Sequence, residues 1–252
     1  MSRLYKALQR AEEERGVRLP HTVAVPKFVP APAPLETDDS ADAGEYDRLK
    51  VMLAATRGEV KSALLVSALK GEGVSTVTAR LAKALASAAP VGVLVIDLDA
   101  TQRTISRWLG ARPGAGLAEV MAVSRPRLEM ARADAISAST FSSRLFVLGP
   151  GRSMVDLAHA QTLSVFEELI AELREAYDYI LVDGGAIEHN PAAAVLAARL
   201  DSTLLVVEAE RSNIPAVRVA ADELRSAGAN LLGAVLNRRR DYVPAFVAKR
   251  LS

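Results

Sequence analysis

Residues 68–75 read Ala-Leu-Lys-Gly-Glu-Gly-Val-Ser. The spacing is that of a phosphate-binding loop, in which Gly or Ala is followed, after four intervening residues, by Gly-Lys-Ser/Thr. Ala68, Gly73 and Ser75 are in register, but Val74 stands where the lysine belongs. A glycine-rich turn between a strand and a helix aims backbone N–H groups at phosphate oxygens, and the lysine adds a mobile positive charge. Valine can supply the backbone contact without the charge. Gly71, Glu72, Gly73, Val74, Ser75 and Thr76 are therefore the expected nucleotide-binding stretch. No catalytic residue is assigned: the decisive position is degenerate, and Lys70 in the same loop is the candidate substitute.

Three acids complete the chemistry. Asp97 and Asp99 follow the run Val-Leu-Val-Ile, and Asp183 follows Tyr-Ile-Leu-Val. Magnesium bound with a nucleotide takes a loop hydroxyl plus one or two carboxylates, directly or through water. Ser75, Asp97, Asp99 and Asp183 make such a set. A single acid at a strand end more often starts a turn or caps a helix. Three of them beside a glycine loop favour an inherited nucleotide site.

The missing lysine has unequal consequences. One charge-assisted hydrogen bond contributes about 1.5–3 kcal/mol, so nucleotide affinity falls by roughly tenfold to a hundredfold. Phosphoryl transfer suffers more, on the order of 10³–10⁵ in rate, because charge develops on the γ-phosphoryl oxygens. Weak binding of ATP or ADP with Mg²⁺ is compatible with Val74. Efficient catalysis is not.

These groups need elements to position them. Hydrophobic runs at 63–67, 91–96, 145–148, 179–182, 202–207 and 231–236 alternate with helical patterns at about 45–57, 75–87, 162–175, 191–199 and 214–227, with a last helix at about 244–250. Near-continuous Val/Ile/Leu strands between helices imply an α/β fold, with a mostly parallel sheet covered on both faces. Ligands in such sheets bind at the carboxyl ends of the strands, where the loop and the acids fall. Residues 124–143 give no clear pattern.

Ahead of this lie a short amphipathic helix at about 1–18 and a Pro-rich segment at 19–44, leaving 45–252 as the globular unit. With 31 Lys and Arg against 30 Asp and Glu, the chain is not built to coat nucleic acid. It has no cysteine, which excludes thiolate catalysis and disulfides. His21, His159 and His189 show no metal spacing. The charged start, MSRLYKALQRAEEER, is no secretory signal, so a cytoplasmic protein is expected.

On these segments the chain resembles the cytoplasmic kinase module of bacterial tyrosine kinases from capsule and exopolysaccharide loci, within the P-loop class of partitioning and division-site ATPases. The resemblance covers about residues 45–240. SALKGEGVST (67–76) is similar to S-x-x-P-G-E-G-K-S-T, and VLVIDLDATQR (93–103) to the D-x-D-x-R motif. LGARPGAGLAEVM (109–121), YDYILVDGGA (177–186) and GAVLNRRR (233–240) match further segments. The resemblance implies an adenine contact at Asn237, with Arg238 beside it, and an oligomer contact through Glu45 and Arg48, remnants of Glu-x-x-Arg-x-x-Arg. The departures fall on chemistry: Val74 for lysine, Thr101 for the arginine, Gly184-Gly185 within D-T-P-P, Val51 for the last contact arginine, and Tyr242 alone in place of a tyrosine cluster.

The resemblance with these losses points to a pseudo-kinase acting in surface polysaccharide synthesis. Its expected partner is a membrane polysaccharide co-polymerase, with a homo-oligomer as a further assembly and a position at the inner face of the plasma membrane. Two rivals stand beside it. One is an active tyrosine kinase or ATPase that uses Lys70 or a partner's residue. The other is a partitioning or positioning ATPase.

Overall fold

The computed structural model describes residues 39–55, 60–87, 92–122, 134–157 and 159–239. The expected N-terminal helix, the prolines up to Pro34, Tyr242 and the last helix lie outside the described residues. Helix α1, Asp39–Ala55, begins before the expected residue 45. Residues 39–44 are thus helical and do not belong to the extended segment assigned to 19–44.

A seven-stranded sheet organises the rest, in the order β3-β4-β2-β5-β1-β6-β7. Its strands are β1 (Ser62–Ser67), β2 (Val93–Asp97), β3 (Ile136–Ala138), β4 (Leu145–Leu148), β5 (Tyr179–Ala186), β6 (Ser202–Glu208) and β7 (Leu231–Asn237). Every pairing is parallel except that of β3, a three-residue edge strand antiparallel to β4. It lies in the stretch where the sequence gives no pattern, because three residues are too few to show alternation.

The remaining helices are α2 (Val74–Ser87), α3 (Thr104–Trp108), α4 (Leu117–Met121), α5 (Ala160–Ala176), α6 (Ala192–Ala197) and α7 (Ile214–Ser226). Alternation along each strand divides the core between two faces. Ala63, Leu65, Val93, Val95, Val147 and Leu181 pack with Leu53 of α1 and with Val77, Leu81 and Leu85 of α2. Leu64, Val66, Leu94, Ile96, Ile180 and Val182 pack on the other face with Phe166, Ile170 and Leu173 of α5 and Leu224 of α7. Full burial of each such side chain is worth about 1.5–3 kcal/mol. The central strands are therefore rigid supports for what stands at their carboxyl ends.

One irregularity lies at that end. Leu65 pairs with Asp183 but Val66 pairs with Gly185, so Gly184 is an extra residue in β5. Such bulges bend a strand and re-aim neighbouring side chains. A Cβ on Gly184 would stand 2.7 Å from Val66 Cγ1 and 2.9 Å from Leu64 Cδ1, and Gly185 has φ +66°. Both glycines are needed for this path of the chain.

Candidate nucleotide-binding site

The loop between β1 and α2 carries the phosphate-binding spacing, and its geometry follows from its glycines. Gly71 and Gly73 have φ +87° and +93°, on either side of Glu72. Alternation of this kind turns successive N–H groups into one concavity, a nest for anions. Helix α2 starts at Val74, so its first-turn N–H groups add to the same positive end. Val77 N–H is the first to bond back, to the Gly73 carbonyl at 3.0 Å.

Val74 itself does not face the concavity. Its side chain is 6 % exposed and packs with the core between the sheet and α2. The lysine position has become a core position. Lys70 is exposed, and among the described residues its ammonium has no ion-pair partner. Ser75 and Thr76 are half-buried at the start of α2.

Two of the three acids are brought side by side. Asp97 and Asp183 are in register across β2 and β5, both buried at strand ends. Asp97 Oδ2 accepts from the Ser106 N–H at 3.1 Å and hydroxyl at 2.5 Å, and Oδ1 accepts from the Asp99 N–H at 2.9 Å. Burial pushes the Asp97 carboxyl up to about 6, against the pull of those donors and with added push from Asp99. Asp183 rises to about 7 through burial and the Asp97 charge, opposed by the Ser75 hydroxyl and the Gly185 N–H. Its Oδ1 accepts from Gly185 N–H at 3.2 Å, while Oδ2 is buried without a hydrogen bond. Asp99 Oδ1 instead accepts from the N–H groups of Thr101 and Gln102, both at 2.9 Å, an Asx-type turn.

These donors fit magnesium held jointly with a phosphate. The orphaned Asp183 Oδ2 beside Ser75 is a hard oxygen lacking a partner, as such an ion requires. Among the described residues no three acidic, His or Cys side chains gather closely enough to hold a metal by themselves. The chemistry favours an ion that arrives with the nucleotide over a protein-only cage.

The far side of the loop is bounded by β6 and β7. Asn237, at the end of β7, donates to the Glu72 carbonyl at 2.9 Å and fills the space that a Cβ on Gly73 would occupy. Arg238, with φ +56°, donates to the Gly71 carbonyl at 3.1 Å and to Glu208 Oε1 at 2.9 Å. Sequence reasoning missed Glu208, Arg211 and Ser212. Arg211 donates to Glu208 Oε2 at 2.9 Å and to the Lys70 carbonyl at 3.1 Å. The Ser212 hydroxyl donates to Glu72, which is 1 % exposed and accepts from Leu69 N–H at 2.8 Å on its other oxygen. A signal was there: Glu208 ends the run Leu-Leu-Val-Val as Asp97 and Asp183 end theirs.

Glu45, Arg48 and Val51 are exposed on α1 at helical spacing of three. His159 and His189 pair with Asp156 and Glu188 at exposed positions. Trp108 is half-buried against the core.

Residues 63–208 match the family described as ATPase MipZ. The putative tyrosine-protein kinase CapB of Staphylococcus aureus is 29% identical over 191 residues, covering 76% of this chain and 81% of that protein. Among solved structures, the kinase domain of VpsO superposes with a TM-score of 0.65 at 26% identity, covering 79% of this chain and 94% of that one. The septum site-determining protein MinD of Pyrococcus horikoshii, solved with Mg-ADP, gives a TM-score of 0.53 at 25% identity over 76% of each chain. With a glycine loop on β1 and acids ending β2 and β5, the chain belongs to the ATPase MipZ family of P-loop proteins, and its relatives within that class are bacterial tyrosine kinases.

Proposed function

We propose that this chain is a pseudo-kinase: it keeps the nucleotide-binding shape of the bacterial tyrosine kinases and has given up efficient phosphoryl transfer. The observation that carries the reading is Val74, whose side chain is core packing where a lysine would reach phosphate. Around it the phosphate nest and the acid pair persist. Nucleotide contacts are assigned to Gly71, Glu72, Gly73, Val74, Ser75 and Thr76, with Asn237 and Arg238 at the base. Magnesium is assigned to Ser75, Asp97, Asp99 and Asp183, with ATP or ADP bound weakly. A bound ion would neutralise charge on the phosphates, while the nest orients them and α2 sets their position.

The kinase relatives support a place in capsule or exopolysaccharide synthesis, acting on the cytoplasmic segment of a membrane polysaccharide co-polymerase. Among the described residues no helix is long and apolar enough to cross a membrane. Membrane attachment would thus come through that partner, at the inner face of the plasma membrane, or through segments outside the described residues. Glu45 and Arg48, exposed on α1, are the proposed oligomer contact. Purified protein incubated with Mg-ATP, alone and with the co-polymerase segment, tests the reading. Phosphotyrosine on the unmodified protein would overturn it; ATP binding without turnover is the expected result.

A second reading is an active kinase or ATPase, favoured by one observation: Lys70 is exposed on the loop with no ion-pair partner among the described residues. A positioning ATPase is the third, favoured by the family match. Salt-dependent DNA binding would be its mark.

A further inference from the structure

The loop is gripped from outside. Three successive carbonyls accept from side chains at or just beyond the ends of β6 and β7: Lys70 from Arg211 at 3.1 Å, Gly71 from Arg238 at 3.1 Å, and Glu72 from Asn237 at 2.9 Å. In a trans peptide the C=O and the following N–H point in opposite directions. Drawing those carbonyls toward β6 and β7 therefore turns the N–H groups of Gly71, Glu72 and Gly73 the other way, into the concavity. Among the described residues those N–H groups have no protein partner.

The grip has a common anchor. Glu208 takes Arg211 on one carboxylate oxygen and Arg238 on the other, both at 2.9 Å. It is 13 % exposed and holds two guanidinium groups that are 53 % exposed. Without that carboxylate, two long flexible side chains would lose their fixed approach to the loop. Their guanidinium groups engage its carbonyl side, so they orient the loop and do not reach into the nest.

We infer that Arg211 and Arg238, tethered by Glu208, are positioning residues for a polyphosphate ligand such as a nucleoside diphosphate, holding the amide nest open in a loop that lacks its lysine. The inference rests on the nucleotide-site reading above. In a lysine-bearing loop the ammonium and the phosphates would help to shape the nest. Here the amides carry most of the attraction, so their preorganisation sets the affinity.

Glu208→Gln separates positioning from simple attraction by sign. The substitution removes one negative charge at the rim, so attraction of phosphate by the arginines predicts tighter binding. Positioning predicts weaker binding, because the tether is lost. Mg-pyrophosphate is the probe, since it lacks the base that Asn237 and Arg238 would touch, and titration calorimetry on the full chain is the readout. Wild-type protein should bind Mg-pyrophosphate and Mg-ADP. Glu208→Gln and Arg211→Ala should each lose about tenfold in pyrophosphate affinity with little change in melting temperature. Arg211→Lys, which keeps a donor, should recover part of the loss. Equal or tighter binding by Glu208→Gln overturns the positioning role and leaves the nucleotide site standing. If that variant does not fold, unchanged affinity in Arg211→Ala overturns it. Wild-type protein that binds neither ligand overturns both.

Discussion

Asp97 and Asp183 end adjacent parallel strands in register, both buried, and the Asp97 charge raises the proton affinity of Asp183. Ser106 and Asp99 supply donors to Asp97, but nothing bonds Asp183 Oδ2. The pair is an unfavourable charge arrangement in the unliganded fold. It becomes favourable once a divalent cation shares it.

Both carboxyls are raised from an ordinary value of 3.8, Asp97 to about 6 and Asp183 to about 7. The folded state then binds more protons than the unfolded state between about pH 4 and pH 7, so the pair's contribution to stability falls as pH rises through that window. Asp183→Asn removes the charge. It should stabilise the protein at pH 8 by on the order of 2 kcal/mol and by almost nothing near pH 4. Urea unfolding at both pH values checks this; an equal effect at the two would contradict it.

Val74→Lys tests the core position. Losing the buried valine should cost about 1–2 kcal/mol of stability, while the long side chain snorkels toward the loop mouth. ADP affinity should rise roughly tenfold or more as a charge-assisted bond is added. Val74→Ala should lose stability similarly and leave affinity unchanged, since valine contributes only its backbone. Calorimetry and denaturation on the two variants separate these effects.

How far the sequence reveals the site depends on what kind of pattern each part leaves. The buried strands show as apolar runs, and the glycine loop and the acids Asp97 and Asp183 have meaning at fixed offsets. β3 leaves no period in three residues. The carbonyl grip is a different case: Glu208, Arg211 and Ser212 reach the loop because β6 lies next to β1 in the sheet. That adjacency belongs to strand order, which spacing along the chain does not encode. The β5 bulge is hidden for a related reason. Its extra residue shows only in the register against β1, although Gly184-Gly185 marks the place.

Lys70→Ala addresses whether Lys70 substitutes for the missing lysine. Arg211 holds the Lys70 carbonyl, so the backbone at this residue is fixed while the side chain stays in solvent. An exposed, hydrated ammonium contributes little to binding. The variant should bind Mg-ADP within about twofold of the parent. A tenfold loss would establish Lys70 as the substitute for the missing lysine and would favour the active-enzyme reading.

Gly184→Thr would restore one residue of the D-T-P-P pattern of the kinase relatives, and the packing opposes it. The new Cβ would come within 2.7 Å of Val66 Cγ1, 2.9 Å of Leu64 Cδ1 and 3.2 Å of the Leu65 carbonyl. Leu64 and Val66 are fully buried, so neither has room to move aside. Overpacking of this kind costs about 1–3 kcal/mol, and a β-branched side chain at a bulge restricts the backbone further. The variant should unfold at lower urea concentration. Because the bulge also sets the direction of Asp183, Mg-ADP binding should weaken with it. Pairing the substitution with Val66→Ala should recover stability by opening the space that Cγ1 occupies. If Gly184→Thr alone is as stable as the parent, β5 follows a different path beside β1, and the placement of Asp183 against Ser75 has to be redrawn.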